Sequence, residues 1–332
     1  MNSLVEFKNK LEKKIRDNKQ VFIIPHMGVD LDAIAASIAM YYIAKKYGKE
    51  AHIIIDEDSM KIEPGVKMII EEVMNNISII NMSKYKLMSS DKDLLVACDV
   101  SKTNLVACKN NLDNFNDIIL IDHHNEDVNT ISTDTKLILP EKSSTSEIMV
   151  ELLKQFQIKM DSFLANYLLA GIYLDTNKFT KNAGCNTMKI VYFLTSKGAE
   201  ISKVNRYFEE DFYSDRRVQD LVSKSEFYSY TIALCVGDKK KRYLKEELAK
   251  AADYLLRYRN VDASFAVGYT DDDVISISAR SKGDINVGEI MSNLQGGGHI
   301  CSAATRLEGR DLDEAVKMLK KIYKPKFSNE NK

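Results

Sequence analysis

Aspartate and histidine side chains follow several apolar segments of this sequence, and these residue types can hold divalent metal ions. Seven such positions are His26, Asp30, Asp32, Asp99, His123, His124 and Asp175. His26 follows the apolar segment 21–25, Asp99 follows 94–98, and His123 and His124 come two and three residues after 118–121. Asp175 ends the apolar segment 168–174. Taken singly, an aspartate after a strand is more often a helix cap than a metal ligand.

Together these side chains predict a metal site. The carboxyl ends of parallel strands meet at one edge of a sheet, so we expect these segment ends to lie close together. Clustered carboxylates repel each other, and a pair of divalent cations removes that repulsion. Oxygen and imidazole ligands without thiolate suit manganese better than zinc. Two ions roughly 3.5–4 Å apart serve in-line displacement at phosphorus, and the residues therefore predict a two-metal phosphoesterase.

The elements that position these residues alternate between strand and helix. Residues 3–18 have helical periodicity, and a strand is expected over 21–25 and a helix over 33–47. Further strands are expected over 51–55, 77–80, 94–98 and 118–121, with a helix over 66–74. The last two strands are continuous apolar runs, typical of strands covered on both faces. This order predicts an α/β fold with a doubly wound, mainly parallel sheet.

A second, smaller α/β domain is expected beyond this sheet. Residues 143–225 are mostly helical in pattern, and Ser144-Thr145-Ser146-Glu147 fits a capping box. Strands are then expected over 230–236, 263–269 and 274–279, and helices over 243–258, 286–294 and 312–323. We therefore expect a catalytic domain over 1–210 that includes a helical connector, and a substrate-binding domain over 225–325.

Composition narrows the classes of partner. The 332 residues contain 47 Lys and Arg against 48 Asp and Glu, so the basic excess expected for binding long nucleic acid is missing. We expect no membrane span in this chain. The five cysteines form no C-x-x-C pair, which disfavours a disulfide framework. A cytoplasmic location is expected, with membrane tethering only through an N-terminal region that this chain does not contain.

The ordered set of motifs resembles the DHH phosphoesterase superfamily. The matching residues are His26-x3-Asp30-x-Asp32, Asp99, Asp122-His123-His124 and Asp175-Thr176, and Gly296-Gly297-Gly298-His299 resembles the signature of the DHHA1 domain. Segments 263–267, 277–281, 289–299 and 184–211 look most like the catalytic module of GdpP-type cyclic-di-AMP phosphodiesterases. The resemblance implies a DHH domain and a DHHA1 domain with the active site in the cleft between them.

The resemblance also implies a role for each matching residue. One metal would be held by His26, Asp30 and Asp99, and the other by Asp32, Asp99, His123 and Asp175. Asp99 would bridge the two ions, for which we expect Mn²⁺ while leaving other divalent ions open. His124 would face the scissile phosphate as a catalytic residue, and Asp122 would orient a histidine.

The second domain would supply substrate contacts through Arg280, Gly296, Gly297, Gly298 and His299. The expected function is hydrolysis of cyclic-di-AMP to linear pApA by a manganese-dependent phosphodiesterase. The alternative is an oligoribonuclease or pAp phosphatase that acts on short linear nucleotides, and a third hypothesis is a non-catalytic nucleotide-binding sensor. Substrate would be a cyclic dinucleotide or a short linear nucleotide, not long nucleic acid, and a homodimer is left open.

Overall fold

The computed structural model describes residues 2–55, 62–108, 112, 114–209 and 211–322. The chain divides into two compact units, and the division falls after Glu209. The expected domain limits at residues 1, 210 and 325, and residue 323 of the last predicted helix, lie outside the described residues. The predicted α/β class is confirmed, because each unit contains a sheet with helices packed on it.

The first unit is built on a six-stranded sheet in the order β3-β2-β1-β4-β5-β6, and every pairing in it is parallel. Its strands are β1 (Gln20–Ile24), β2 (Glu50–Ile54), β3 (Ile79–Ile80), β4 (Leu94–Cys98), β5 (Asp117–Asp122) and β6 (Thr135–Ile138). Strand β6 was not predicted. The order reverses between β1 and β4, which is the point where open parallel sheets bind ligands.

Eight α-helices accompany this sheet in the described residues of the first unit. They are α1 (Asn2–Asp17), α2 (Leu31–Lys46), α3 (Pro64–Val73), α4 (Met82–Met88), α5 (Thr145–Gln155), α6 (Ser162–Asp175), α7 (Cys185–Ser196) and α8 (Ile201–Arg206). Val21 and Ile23 on β1 pack into the core that includes α1, α2, α5 and α6. Phe22 and Ile24 pack on the opposite face with Tyr85 of α4. Both faces are therefore covered, as the continuous apolar strands predicted.

The second unit contains a mixed sheet in the order β11-β12-β10-β9-β8-β7. Among the described strands of this sheet, β8 and β9 are the only neighbours that pair in parallel. The elements are α9 (Phe212–Ser223), β7 (Glu226–Ser229), β8 (Ile232–Val236), α10 (Lys245–Leu255), β9 (Ala263–Asp271), β10 (Val274–Ser281), α11 (Val287–Ser292), β11 (Gly297–Gly298), β12 (Ser302–Glu308) and α12 (Leu312–Ile322).

Helices cover both faces of this second sheet. Leu221 of α9 and Leu248 of α10 pack against one face. Met291 of α11 and Leu319 of α12 pack against the other. The three predicted strands correspond to β8, β9 and β10, whereas β7, β11 and β12 were not predicted. Among the described residues, no helix combines the length and the apolar composition needed to cross a membrane.

Candidate metal centre

Three neighbouring strands end at the candidate site. His26 follows β1 by two residues, Asp99 comes directly after β4, and Asp122 is the last residue of β5. Since β1, β4 and β5 are adjacent in the sheet, their carboxyl ends bring these residues to the place where the strand order reverses. The predicted meeting of strand ends is thus found for these three segments.

Helix α2 supplies the two other aspartates of the first motif. Asp30 is its N-cap, and the side chain accepts hydrogen bonds from the backbone N–H groups of Asp32 (3.0 Å) and Ala33 (2.9 Å). One carboxylate can therefore cap the helix and still lie in the site. Asp32 is fully buried in the first turn of the same helix.

Asp175 reaches the site from a helix, in agreement with the helical pattern expected over 143–225. The expectation that the ends of parallel strands bring all of these residues together therefore does not hold for Asp175. It is the last residue of α6, whose apolar stretch is buried on several sides. A continuous apolar run cannot by itself distinguish a buried strand from a buried helix. The Asp175 carboxylate lies 3.1 Å from Nε2 of His123.

The donor atoms form three overlapping groups, each lying within 4.8 Å. They are His26, Asp30 and Asp99; Asp32, His123 and Asp175; and Asp99, His123 and His124. Asp99 lies 3.6 Å from Nε2 of His26 through one carboxylate oxygen and 3.7 Å from Nε2 of His123 through the other. Carboxylate oxygens and imidazole nitrogens at this density fit a pair of divalent ions.

Hydrogen bonds fix which ring nitrogen of His26 and of His124 is free for a ligand. Nδ1 of His26 lies 2.9 Å from the carbonyl oxygen of Met27, so it carries the proton and leaves Nε2 toward Asp30 and Asp99. Nδ1 of His124 lies 2.8 Å from Oδ1 of the buried Asp122. The expected role of Asp122 as the carboxylate beside a histidine agrees with this contact.

Burial and mutual repulsion shift the pKa values of this cluster. Burial raises the pKa of Asp32 well above its usual range, and the charges of Asp99 and Asp175 raise it further. Burial lowers the pKa of His26, but hydrogen bonds to Asp30 and Asp99 outweigh it and raise that pKa to about 11. Burial likewise opposes the charged form of His123, yet Asp175 and Asp99 raise its pKa to about 9. Protons therefore neutralise the metal-free cluster.

The start of α5 holds two of the carboxylates, which the sequence did not reveal. The backbone N–H groups of Thr145 and Ser146 donate to the two oxygens of Asp32 at 2.7 and 2.8 Å. Oγ1 of Thr145 donates to Oδ1 of Asp99 at 2.8 Å. Helix-terminal N–H groups favour negative charge, so this helix partly offsets the cost of burying Asp32. The sequence interpretation assigned these residues to a helix cap and did not place them beside the carboxylates.

That cap is built differently from the predicted capping box. Ser144 is the N-cap and accepts from the N–H of Glu147 at 3.1 Å. The Glu147 carboxylate accepts from the N–H and hydroxyl of Ser143 and from the hydroxyl of Thr187 in α7. It thus ties residues 143–147 to α7 and steadies the segment that holds Asp32.

The expected substrate-binding residues lie in the second unit. Arg280 is on β10, and its Nε donates to Asp253 of α10 at 3.0 Å. A Cβ on Gly296 would lie 2.3 Å from the carbonyl oxygen of Ala304, and one on Gly298 would lie 2.4 Å from Cα of Ala303.

These two glycines therefore allow the turn to approach β12 closely. Gly297 and His299 are exposed, and no described atom lies within 4 Å of a Cβ built on Gly297. Of the three glycines, Gly297 has the most open space at its Cβ position.

A cavity of about 280 Å³ opens beside the carboxylates of the first unit. Its described lining consists of His26, Asp30, Asp99, Val100, Ser101, Lys102, Leu105, Asp122, His124 and Asp175. The cavity joins most of the metal-ligand candidates to a wall formed by residues 100–105, which the sequence interpretation did not include.

This fold and donor set define an α/β domain of the DHH type followed by a second domain. Residues 20–172 match the family model described as the N-terminal domain of the DHH family, and residues 228–324 match the DHHA1 domain. The chain therefore belongs to the DHH family and carries a DHHA1 domain, as the motifs predicted.

Curated relatives extend this match over most of the chain. Cyclic-di-AMP phosphodiesterase PdeA of Listeria monocytogenes is 33% identical over 317 residues, which is 93% of this chain and 48% of the relative. Cyclic-di-AMP phosphodiesterase GdpP of Bacillus subtilis is 33% identical over 319 residues, with the same coverage. The chain spans about half the length of these relatives. The bifunctional oligoribonuclease and PAP phosphatase NrnA of Thermus thermophilus is 23% identical, over 89% of this chain and 86% of that protein.

Solved structures support the same fold. An exopolyphosphatase-related protein from Bacteroides fragilis superposes with a TM-score of 0.77 at 22% identity, over 96% of this chain and 95% of that one. Exonuclease RecJ bound to manganese gives a TM-score of 0.56 at 12% identity, over 96% of this chain and 93% of that one. At these identities the likeness concerns the fold.

Proposed function

We propose that this chain is a two-metal phosphodiesterase that opens cyclic-di-AMP to linear pApA. The observation that carries the proposal is the set of overlapping donor groups, two of which contain Asp99. The cyclic-di-AMP phosphodiesterases matched at 33% identity over 93% of this chain support the choice of substrate. Manganese is the proposed metal because the donors are oxygen and imidazole without thiolate.

The proposed ion positions correspond to two of the three donor groups, with Asp99 added to the second because its other oxygen lies 3.7 Å from Nε2 of His123. His26, Asp30 and Asp99 would hold one ion, and Asp32, Asp99, His123 and Asp175 the other. When bound, such a pair supplies an activated water and neutralises the charge on the phosphate oxygens. Thr145 keeps one Asp99 oxygen in place through its hydroxyl, and the start of α5 holds Asp32. These hydrogen bonds orient the carboxylates of Asp32 and Asp99 for metal binding.

His124 is the proposed proton donor to the leaving oxygen. The hydrogen bond from its Nδ1 to Asp122 raises the pKa of His124 and so favours the protonated ring. Since Nδ1 is used by Asp122, Nε2 is the nitrogen that remains for the substrate. The imidazole is half exposed, which leaves it accessible to a ligand in the cavity. These features suit general acid catalysis.

The second unit is proposed to recognise the substrate. Gly297 offers backbone groups without a neighbouring side chain, and His299 is exposed next to it. Gly296 and Gly298 would act indirectly by letting the turn lie against β12. Arg280 would contribute charge to a phosphate, and this requires that phosphate to compete with Asp253 for its guanidinium.

A second candidate function is hydrolysis of short linear oligonucleotides or of pAp. NrnA, which is named for both activities, matches 89% of this chain. The donor groups would serve this chemistry equally well, since each reaction displaces a group at phosphorus. A non-catalytic sensor is the third candidate, but such a protein has no need for a cluster of mutually repelling carboxylates.

One experiment separates the candidates. The purified chain is incubated with Mn²⁺ and, separately, with cyclic-di-AMP, pApA and pAp, and kcat/KM is measured by chromatography of the products. Asp32→Asn serves as the inactive variant, and Asp134→Asn, whose side chain is 83% exposed outside the donor groups, is the matched control. The highest kcat/KM for cyclic-di-AMP supports the proposal. A higher value for pApA or pAp selects the second candidate, and binding without turnover of any of the three selects the sensor.

A further inference from the structure

The wall of the active-site cavity formed by residues 100–105 carries a charge that the proposed mechanism does not use. Lys102 is the only lysine or arginine among the described residues that line this cavity. Asp30, Asp99, Asp122 and Asp175 line the same cavity. The Lys102 ammonium forms an ion pair with the Asp127 carboxylate at 2.7 Å, and both side chains remain about one-third exposed.

The backbone around Lys102 is held from several directions. Lys102 forms an isolated bridge with Thr130, and the N–H of Thr103 donates to the carbonyl of Asn129 at 3.0 Å. The carbonyl of Leu105 accepts from the N–H of Met27, next to His26, at 2.7 Å. These bonds attach the wall to the segment that supplies His26 and to the segment after His124. The lysine is therefore presented to the cavity from a fixed backbone.

This arrangement suits a ligand with two phosphate groups. If one phosphate of a ligand lies at the proposed metal centre, a second phosphate must lie in the same cavity. The carboxylates that line this cavity would repel that second phosphate. A lysine ammonium is a compact charge that binds phosphate, and an exposed ion pair to Asp127 is weak enough to exchange partners. Leu105, with 42% of its surface exposed, adds apolar area to the same wall, where a nucleoside can lie.

We propose that Lys102 binds a second phosphate of the substrate, one nucleoside away from the phosphate that is cleaved. The inference rests on the proposed phosphodiesterase function and makes Lys102 a specificity-determining residue. It identifies the substrate class as nucleotides that carry at least two phosphates. A dinucleoside monophosphate would lack the group that Lys102 recognises.

The test compares two substrates that differ only in that group. pApA and ApA share the cleaved linkage, but ApA lacks the 5′-phosphate. In the manganese-loaded full chain, we expect Lys102→Met to lower the ratio of kcat/KM for pApA to that for ApA by about 10- to 100-fold, the effect of one hydrogen bond to a charged group. Lys136→Met, which removes an exposed lysine from its ion pair with Glu126 outside the cavity lining, should keep the wild-type ratio.

Asp127→Asn separates phosphate binding from a structural role of the ion pair. Freed from its partner, Lys102 should bind the second phosphate at least as well, so the ratio should stay the same or rise. An unchanged ratio in Lys102→Met, or an equal fall in Asp127→Asn, would overturn the proposal.

Calorimetric binding of pApA and ApA with Mn²⁺, in the slow His124→Ala background with and without Lys102→Met, gives the same comparison without turnover. If the wild-type protein cleaves neither pApA nor ApA, this binding comparison decides the role of Lys102. The proposed function stands or falls separately, on whether the same protein hydrolyses cyclic-di-AMP.

Discussion

Gly171 offers a direct test of how the structure positions Asp32. It lies inside α6, where alanine would ordinarily be favoured over glycine by about 1 kcal/mol. A Cβ at this position would lie 2.3 Å from Oγ of Ser146, 2.6 Å from Oδ1 of Asp32 and 2.9 Å from Cα of Asp32. Since apolar carbon needs about 3.5 Å, the Asp32 carboxylate must move by roughly 1 Å in Gly171→Ala.

The expected cost falls on function more than on folding. Overpacking typically costs about 1–3 kcal/mol, and the gain in helix propensity offsets part of it. A shift of roughly 1 Å, in contrast, breaks the hydrogen bonds of 2.7 and 2.8 Å that Asp32 accepts from Thr145 and Ser146. Misplacement on that scale can lower a rate by about 10²-fold. We therefore expect Gly171→Ala to fold, to bind Mn²⁺ more weakly and to lose about 100-fold in kcat/KM.

The assay combines thermal unfolding, calorimetric titration with Mn²⁺ and hydrolysis of cyclic-di-AMP. Gly184→Ala is the matched control, because no described atom lies within 4 Å of a Cβ at that position. It should retain wild-type metal affinity and turnover. Wild-type affinity and turnover in Gly171→Ala would refute the claim that this glycine makes room for Asp32.

Three further predictions concern division of labour and pH. His124→Ala should keep both ions and lose about 10²–10⁴-fold in kcat, whereas His123→Ala should lose one ion; equal metal loss, measured by titration, would contradict the assignment. Arg280→Ala and His299→Ala should still cleave bis(p-nitrophenyl) phosphate but lose roughly 1.5–3 kcal/mol of transition-state stabilisation on cyclic-di-AMP. Equal losses on both substrates would contradict the proposal that the second unit recognises the substrate without taking part in cleavage. The raised pKa values of His26 (about 11) and His123 (about 9) mean that metal must displace protons at pH 7.5, so Mn²⁺ affinity should rise toward pH 9. Calorimetry in buffers of different ionisation enthalpy measures the released protons, and no release would contradict the shifts.

The sequence predicted the parts of the site that depend on local order. Apolar strands covered on both faces could be recognised from continuous apolar runs, and His26 and Asp99 follow such runs directly. Their meeting at one edge then follows from parallel pairing alone. Sequence reasoning weighed a helix cap against a metal ligand for each aspartate, but the two roles are not exclusive. Asp30 caps α2 and also lies in a donor group.

Contacts between distant segments could not be predicted in the same way. Thr145 is 113 residues from Asp32, and neither local sequence pattern indicates that the backbone N–H groups of Thr145 and Ser146 bind the Asp32 carboxylate. Lys102 belongs to no recognisable sequence motif. It lines the cavity on a segment that is bridged to Thr130, and this pairing between distant residues leaves no local signal. In the second unit, β11 comprises only two residues and its pairing with β12 depends on the close approach of Gly296 and Gly298, so periodicity could not reveal it.

Asp99, the proposed bridging ligand, also has an unusual backbone conformation, and this yields a final prediction. Asp99 has φ of 59°, in the left-handed region that costs most residues roughly 1–2 kcal/mol but that Asn and Asp tolerate. Its N–H donates to the carbonyl of Ile121 at 2.9 Å, and its Oδ1 accepts from Thr145, so β5 and α5 together hold the conformation.

Asp99→Asn keeps both the tolerance for positive φ and an oxygen for Thr145, whereas Asp99→Ala loses both. Both variants should lose the paired ions, but Asp99→Ala should be less stable than Asp99→Asn by about 1–3 kcal/mol in metal-free protein. Chemical unfolding in EDTA measures this difference, and equal stability of the two variants would show that neither the backbone conformation nor the Thr145 contact contributes.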